Sequence, residues 1–240
     1  HFVIRTVADR SLSINQEALT MAAAKLPGSS RIQFRLAEAE LEAQKFTDAQ
    51  THAEQAVKLS PWDYRNWRLL AAAQDFDGKS EEAERSVLSA VKLAPSFFEI
   101  NWTAANLLLR QGKLQDAVTS FRVATRTKSE ILPTAFELLW QASNGDIEPL
   151  KSLASKGVSS QLVLTQFLGE QSNYEAAVSI YRNIDAEAKL KSPSAAAFIS
   201  SLIKENRKTV ARELWLDTAS KSIKGEHTDA LIWNGGFEFD

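Results

Sequence analysis

From Trp67 onward, small and apolar side chains return every three or four positions. Trp67, Leu70, Ala71 and Gln74 fall on one helical face, and Ala83, Val87, Ala90 and Leu93 on another. Between them Asp77-Gly78-Lys79-Ser80 breaks the pattern and reads as a turn, with Ser80 expected to cap the second helix and Glu81 and Glu82 placed where its dipole favours negative charge. The unit is therefore helix, short turn, helix. It recurs at a fixed step of 34, in Pro27, Pro61 and Pro95, in Ala22, Ala56, Ala90 and Ala124, and in Ala49, Ala83 and Ala117. The segments AVKLSP (56–61) and AVKLAP (90–95) are thus one joint spelled twice.

The alanines have a steric reason to be small. Antiparallel helices packed about 8–10 Å apart leave no room for bulk where their backbones come closest. Proline ends the second helix because it lacks an amide hydrogen and its ring clashes with the preceding turn.

This period and these marks resemble the tetratricopeptide repeat. The best copy is WRLLAAAQDFDGKSEEAERSVLSAVKLAP, Trp67 to Pro95, with an aromatic, a leucine and a small residue in the first helix, glycine at the turn, alanines in the second helix and a closing proline. The copy from Asn101 to Ser129 keeps Gly112, Leu114, Ala117, Phe121 and Ala124 but has alanine for leucine at Ala104 and serine for proline. Repeats start near Ser30, Tyr64 and Phe98, and a fourth near Leu132 has a shortened partner around 149–155. Phase returns in NYEAAVSIYRNI and KTVARELWLDTA, where Ala211 follows Ala177 by 34 and Trp215 follows Tyr181 by 34. The resemblance implies an all-α, right-handed α-α superhelix, a solenoid of about six helical hairpins. Its expected organisation is a capping region at 1–29 with a helix from about Leu12 to Leu26, three clear repeats at 30–129, degenerate repeats at 130–225, and a short extended tail at 226–240.

The tail, LIWNGGFEFD, alternates aromatics around two glycines and reads as strand and turn. Its Asn234-Gly235-Gly236-Phe237-Glu238 is similar to the opening of carbohydrate-binding jelly-roll modules, so two expectations stand: the tail begins a truncated domain, or, alone, it docks on the last helices or stays disordered.

In a repeat solenoid, first helices build the concave wall that takes partners. The residues expected to face a peptide there are Arg31, Phe34 and Arg35, then Arg65, Arg68 and Asp75, then Trp102, Asn106 and Arg110, then Phe136 and Trp140. Arginine binds carboxylates bidentately and stacks on rings, and aromatics anchor at low entropic cost, so the expected ligand is a protein or peptide that is acidic or aromatic-bearing. Members of the family that grip chaperone tails use a lysine and asparagine set. The corresponding places here hold Phe34, Glu38, Leu69, Glu99 and Thr103, so that ligand is not expected.

Composition removes other classes. No cysteine occurs among the 240 residues, which excludes disulfides, thiolate metal sites and cysteine nucleophiles. A net charge of −2 offers no global field for nucleic acid. The longest uncharged run, Gly157 to Gly169, is 13 residues, short of the roughly 18 needed to span a bilayer. The three histidines, His1, His52 and His227, are scattered, no glycine-rich phosphate loop or nucleophile elbow occurs, and no enzyme, metal or cofactor is expected. The leading expectation is a non-catalytic scaffold binding a protein or peptide on its concave face. Two readings stand beside it: a component of bacterial cell-envelope or polysaccharide biosynthesis and export machinery with a following sandwich domain, and a self-assembling structural repeat protein. The start HFVIRTVADR, without methionine, is expected to be a fragment or processed end. Cytoplasmic and bacterial periplasmic or envelope locations, and the oligomeric state, stay open.

Overall fold

A computed structural model describes residues 17–155 and 157–222 as helices joined by turns, with no strand among the described residues. The expected tail at 226–240, residues 12–16 of the expected opening helix, His1 and His227 lie outside them. The chain divides between Lys128 and Ser129 into two compact units. The first holds α1 (17–25), α2 (Ser30–Glu42), α3 (Phe46–Leu59), α4 (Tyr64–Phe76), α5 (Ser80–Leu93), α6 (Phe98–Arg110) and α7 (Leu114–Thr127). The second opens with a short 3-10 turn (Ser129–Ile131) and holds α8 (Leu132–Ala142), α9 (Glu148–Ala154), α10 (Val158–Glu170), α11 (Tyr174–Arg182), α12 (Ala186–Leu190), α13 (Pro193–Lys204) and α14 (Lys208–Ser222). Six hairpins result among the described residues: α2/α3, α4/α5 and α6/α7, then α8/α9, α10/α11 and α13/α14.

Within the hairpins the turn is the same device each time. In five of them one residue adopts the left-handed conformation, Gln44 (φ 60°), Gly78 (79°), Gly112 (74°), Ser172 (59°) or Asn206 (57°), and in the α8/α9 turn two do, Asn144 (52°) and Gly145 (83°), whose amide reaches the Trp140 carbonyl at 2.9 Å. The next residue's amide then reaches back to a carbonyl of the finished helix: Lys45 to Glu40, Lys79 to Gln74, Lys113 to Leu108, Asn173 to Leu168 and Arg207 to Leu202, all at 2.8–2.9 Å. This closure satisfies carbonyls that the helix end would otherwise orphan. It also corrects the expected cap. The residue entering α5 is Lys79, which makes no side-chain cap bond, because the backward bond already fixes its backbone; Ser80 is the first helical residue.

Ala49, Ala83 and Ala117, and equally Ala56, Ala90 and Ala124, have no exposure at all. They sit where the two helices of each hairpin meet, and larger neighbours fill the space around them. Ala71, Ala83, Val87, Ala104 and Leu107 form one such cluster, with members from α4, α5 and α6, so each hairpin's core is completed by the next. Sealing Val87 or Leu107 from water contributes about 1.5–3 kcal/mol apiece.

The joints between hairpins are locked by polar contacts. Gln33 Nε2 donates to the Pro27 carbonyl at 3.4 Å, Trp67 Nε1 to the Pro61 carbonyl at 2.7 Å, and Asn101 Nδ2 to the Pro95 carbonyl at 2.9 Å. In each case the donor lies six residues after the proline, on the first turn of the next helix. Asn66, 2% exposed, adds a second lock, sharing its amide among Ser30 Oγ (3.2 Å), the Ala56 carbonyl (3.0 Å) and the Ser60 carbonyl (3.1 Å).

A polar rung also crosses the first two hairpins. Glu40 on α2 contacts His52 on α3 (Oε2 to Nδ1, 2.7 Å), and one repeat later Ser86 donates to Gln74 at 2.7 Å. Burial pushes the Glu40 carboxyl up, more than its hydrogen bond to His52 pulls it down; Asp48 acts with burial and Lys45 against it.

Two stability outcomes follow from these contacts. No atom stands within 4 Å of a Cβ built on Gly78, so Gly78→Ala tests backbone conformation alone; it should lower the denaturant-unfolding free energy by about 1–2 kcal/mol. Because the Glu40 value is raised on folding, its contribution is present at acid pH and declines as pH rises through that value. Glu40→Gln, which copies Gln74, should therefore gain stability relative to the parent between acid and neutral pH, read from unfolding midpoints at the two ends.

Candidate binding surface

The wall formed by α2, α4 and α6 differs from the cationic one expected from its arginines. Helical phase puts Arg31 and Arg35 on α2, Arg65, Arg68 and Asp75 on α4, and Trp102, Asn106 and Arg110 on α6. Most of that charge is cancelled within the wall. Arg35 pairs with Glu38 at 2.8 Å. Asp63 caps α4 and grips Arg65 along two edges, Nε to Oδ1 at 2.9 Å and a terminal nitrogen to Oδ2 at 2.6 Å. That grip holds the Asp63 carboxyl below its ordinary range and raises Arg65. Arg110 on α6 reaches back to Asp75 on α4, tying two hairpins together. Arg31, exposed, and Arg68, half-buried, make no ion pair among the described residues, so they are the cations a ligand would meet uncompensated.

The aromatics divide similarly. Phe34 is half-buried and packs on the cluster of Ala37, Ala53, Val57, Leu69 and Leu70. Trp102 is held between Phe98 (ring centroids 6.0 Å) and the buried Phe121 (5.1 Å), and its carbonyl accepts from Asn106 at 2.8 Å. In the second unit Phe136, expected on the ligand-facing wall, is wholly buried against Phe167 and belongs to the interior. The reason is that α10 packs against α8 and its Phe167 covers the face on which Phe136 stands, at 5.9 Å between ring centroids. Trp140 stays half-buried, edge-on to Phe167.

The expected residues that do converge line a cleft of about 620 Å3 between α2 and α4. Arg31, Phe34, Arg35 and Arg65 contribute to it, as do Glu38, Asp63 and Asn66. Glu38 shares the expected face with Arg31, Phe34 and Arg35; Asp63 and Asn66 were not among the expected residues. Glu38 and Asp63 carry a legible signal, since each stands two or three positions from an arginine on the same helix start or face. Asn66 carries none, because its buried role depends on where Ser30 and the Ala56 carbonyl arrive in space. His52, the one described histidine, is spent on Glu40 and has no place in the cleft. Among the described residues no three His, Cys, Asp or Glu side chains are placed to hold a metal ion, and no helix is long and apolar enough to cross a membrane.

Residues 75–130 match the family model described as tetratricopeptide repeat. No curated protein sequence matches the chain. Among solved structures, the chain is similar to a tetratricopeptide repeat protein from Parabacteroides merdae, at 13% identity and a TM-score of 0.51, over 95% of this chain and 94% of that one. A chain of the structure titled "Structure of Naa15/Naa10 bound to HypK-THB" aligns at 18% identity and a TM-score of 0.48; the alignment covers 89% of this chain but 35% of that one. The all-α hairpin solenoid class is thus the observed class. Residues 75–130 thus carry the tetratricopeptide-repeat signature, and the described chain shares the fold of a tetratricopeptide repeat protein.

Proposed function

We propose that the protein is a non-catalytic scaffold whose first unit holds a short polypeptide segment in the cleft between α2 and α4. The observation that carries this reading is the pairing pattern in the cleft: Arg35 and Arg65 are neutralised by Glu38 and Asp63, while Arg31 has no counter-ion among the described residues. A near-neutral groove with one free guanidinium beside the half-buried Phe34 suits a ligand presenting one carboxylate next to one apolar side chain. A uniformly acidic run fits less well, since Glu38 and Asp63 would repel its remaining charges. The two fixed ion pairs also add orientation, because a guanidinium held on one edge presents its other donors in a set direction. Arg68, one turn beyond Arg65 on α4, would serve the ligand's continuation.

The test uses fluorescein-labelled peptides of matched length with Asp-Phe, Asp-Asp and Lys-Phe centres. Anisotropy should rise most with the Asp-Phe peptide, and Arg31→Ala with Arg68→Ala should weaken that binding at least tenfold while circular dichroism stays unchanged. Equal binding of all three peptides, or no response to the substitutions, would remove the cleft as the ligand site.

A further inference from the structure

The edge of the first unit where second helices end and first helices begin carries large apolar side chains that stay exposed, although the Phe97 ring packs on Tyr64 at 5.1 Å. Trp62 is 83% exposed, Leu26 59%, Phe97 50% and Leu59 42%. They protrude from three successive joints, and none of them lines the cleft between α2 and α4. A tryptophan this exposed breaks the rule that aromatics are buried or partnered, and it does so at a turn whose geometry is already fixed by the Trp67 bond to Pro61.

The same edge is cationic, and its cations are unspent. Lys25, Lys58, Lys92 and Arg126 are exposed at the ends of α1, α3, α5 and α7 and make no ion pair among the described residues. One cation at the end of each helix suits its dipole. Lys128 adds a further charge over the Phe98 ring, 4.1 Å from its centroid. Against these cations the edge offers Asp63, already gripped by Arg65, and Glu99.

The opposite edge, at the turns inside the hairpins, shows what the fold does with cations it needs. Lys79 binds Asp77 and Gln50, both at 2.7 Å, Lys113 binds Glu84, and Arg110 binds Asp75. Lys79, Lys113 and Arg110 are thus paired, whereas Lys25, Lys58, Lys92 and Arg126 of the joint edge make no ion pair among the described residues.

We propose that this joint edge docks the protein on an anionic lipid bilayer. Apolar tips on separate protruding turns fit a yielding interface better than a rigid partner, which would need a matching pocket for each. Tryptophan resides favourably at headgroup depth, and surrounding lysines are attracted to anionic lipid. Attachment is peripheral and leaves the cleft between α2 and α4 to its own ligand, so this inference does not rest on the peptide reading.

The experiment is co-sedimentation of the full chain with vesicles of phosphatidylcholine alone and of equal parts phosphatidylcholine and phosphatidylglycerol. The variants are Trp62→Ser, and Lys58→Gln with Lys92→Gln, all at exposed positions and checked by circular dichroism. Binding should require phosphatidylglycerol, fall as salt is raised, weaken about fivefold for each lysine removed, and weaken again with Trp62→Ser. Failure to sediment with the anionic vesicles, or binding that ignores all three positions, would overturn the proposal. So would equally tight binding to polyglutamate or duplex DNA that is indifferent to Trp62→Ser, since the edge would then serve an acidic macromolecule.

Discussion

Three side chains of unlike chemistry, Gln33, Trp67 and Asn101, donate to the carbonyl of the proline six residues before them. The repeat array of the first unit depends on this contact. A proline that ends a helix leaves its own carbonyl and its neighbours' without intrahelical donors. By satisfying that carbonyl from the first turn of the following helix, each joint fixes where that helix starts. The alanine seams at Ala49, Ala83 and Ala117 can then meet in register, and the first-helix wall acquires a reproducible geometry. The cleft between α2 and α4 is a product of that registration, since Asn66 binds Ser30 and the end of α3 together at its base.

Much of this was legible in residues alone. The helix starts at Ser30, Tyr64, Phe98 and Leu132 follow from the hydrophobic period and the repeated proline joints, because backbone geometry leaves few residue types able to occupy those places. What identity could not reveal was a role filled by different residues. The joint donor is glutamine, tryptophan and asparagine in turn, and only the capacity to offer an N–H is common to them. The left-handed turn position is likewise glycine twice and glutamine, serine or asparagine elsewhere. Ser80 illustrates a neighbouring difficulty. It has the chemistry of a cap, but the preceding helix's closing bond settles the turn one residue earlier.

The candidate site was less legible, for an electrostatic reason. Five arginines on one wall suggest a strongly positive groove only while their partners are unknown. Arg35, Arg65 and Arg110 are each neutralised by a carboxylate on the same wall, one of them from a different hairpin. Helical phase tells which side a residue occupies, and it leaves open whether a charge there is already satisfied. Phe136 shows the apolar counterpart: its phase is right, but α10 brings Phe167 over it and buries it.

The joint contact is tested most directly at Asn101, which is 2% exposed and donates to both Pro95 (2.9 Å) and Phe97 (2.8 Å). Asn101→Leu keeps the volume and removes both bonds, leaving two carbonyls without this donor. Denaturant unfolding should show a loss of about 1–3 kcal/mol relative to the parent chain. A variant as stable as the parent, or more so, would show that packing alone holds the hairpins in register and would contradict the account.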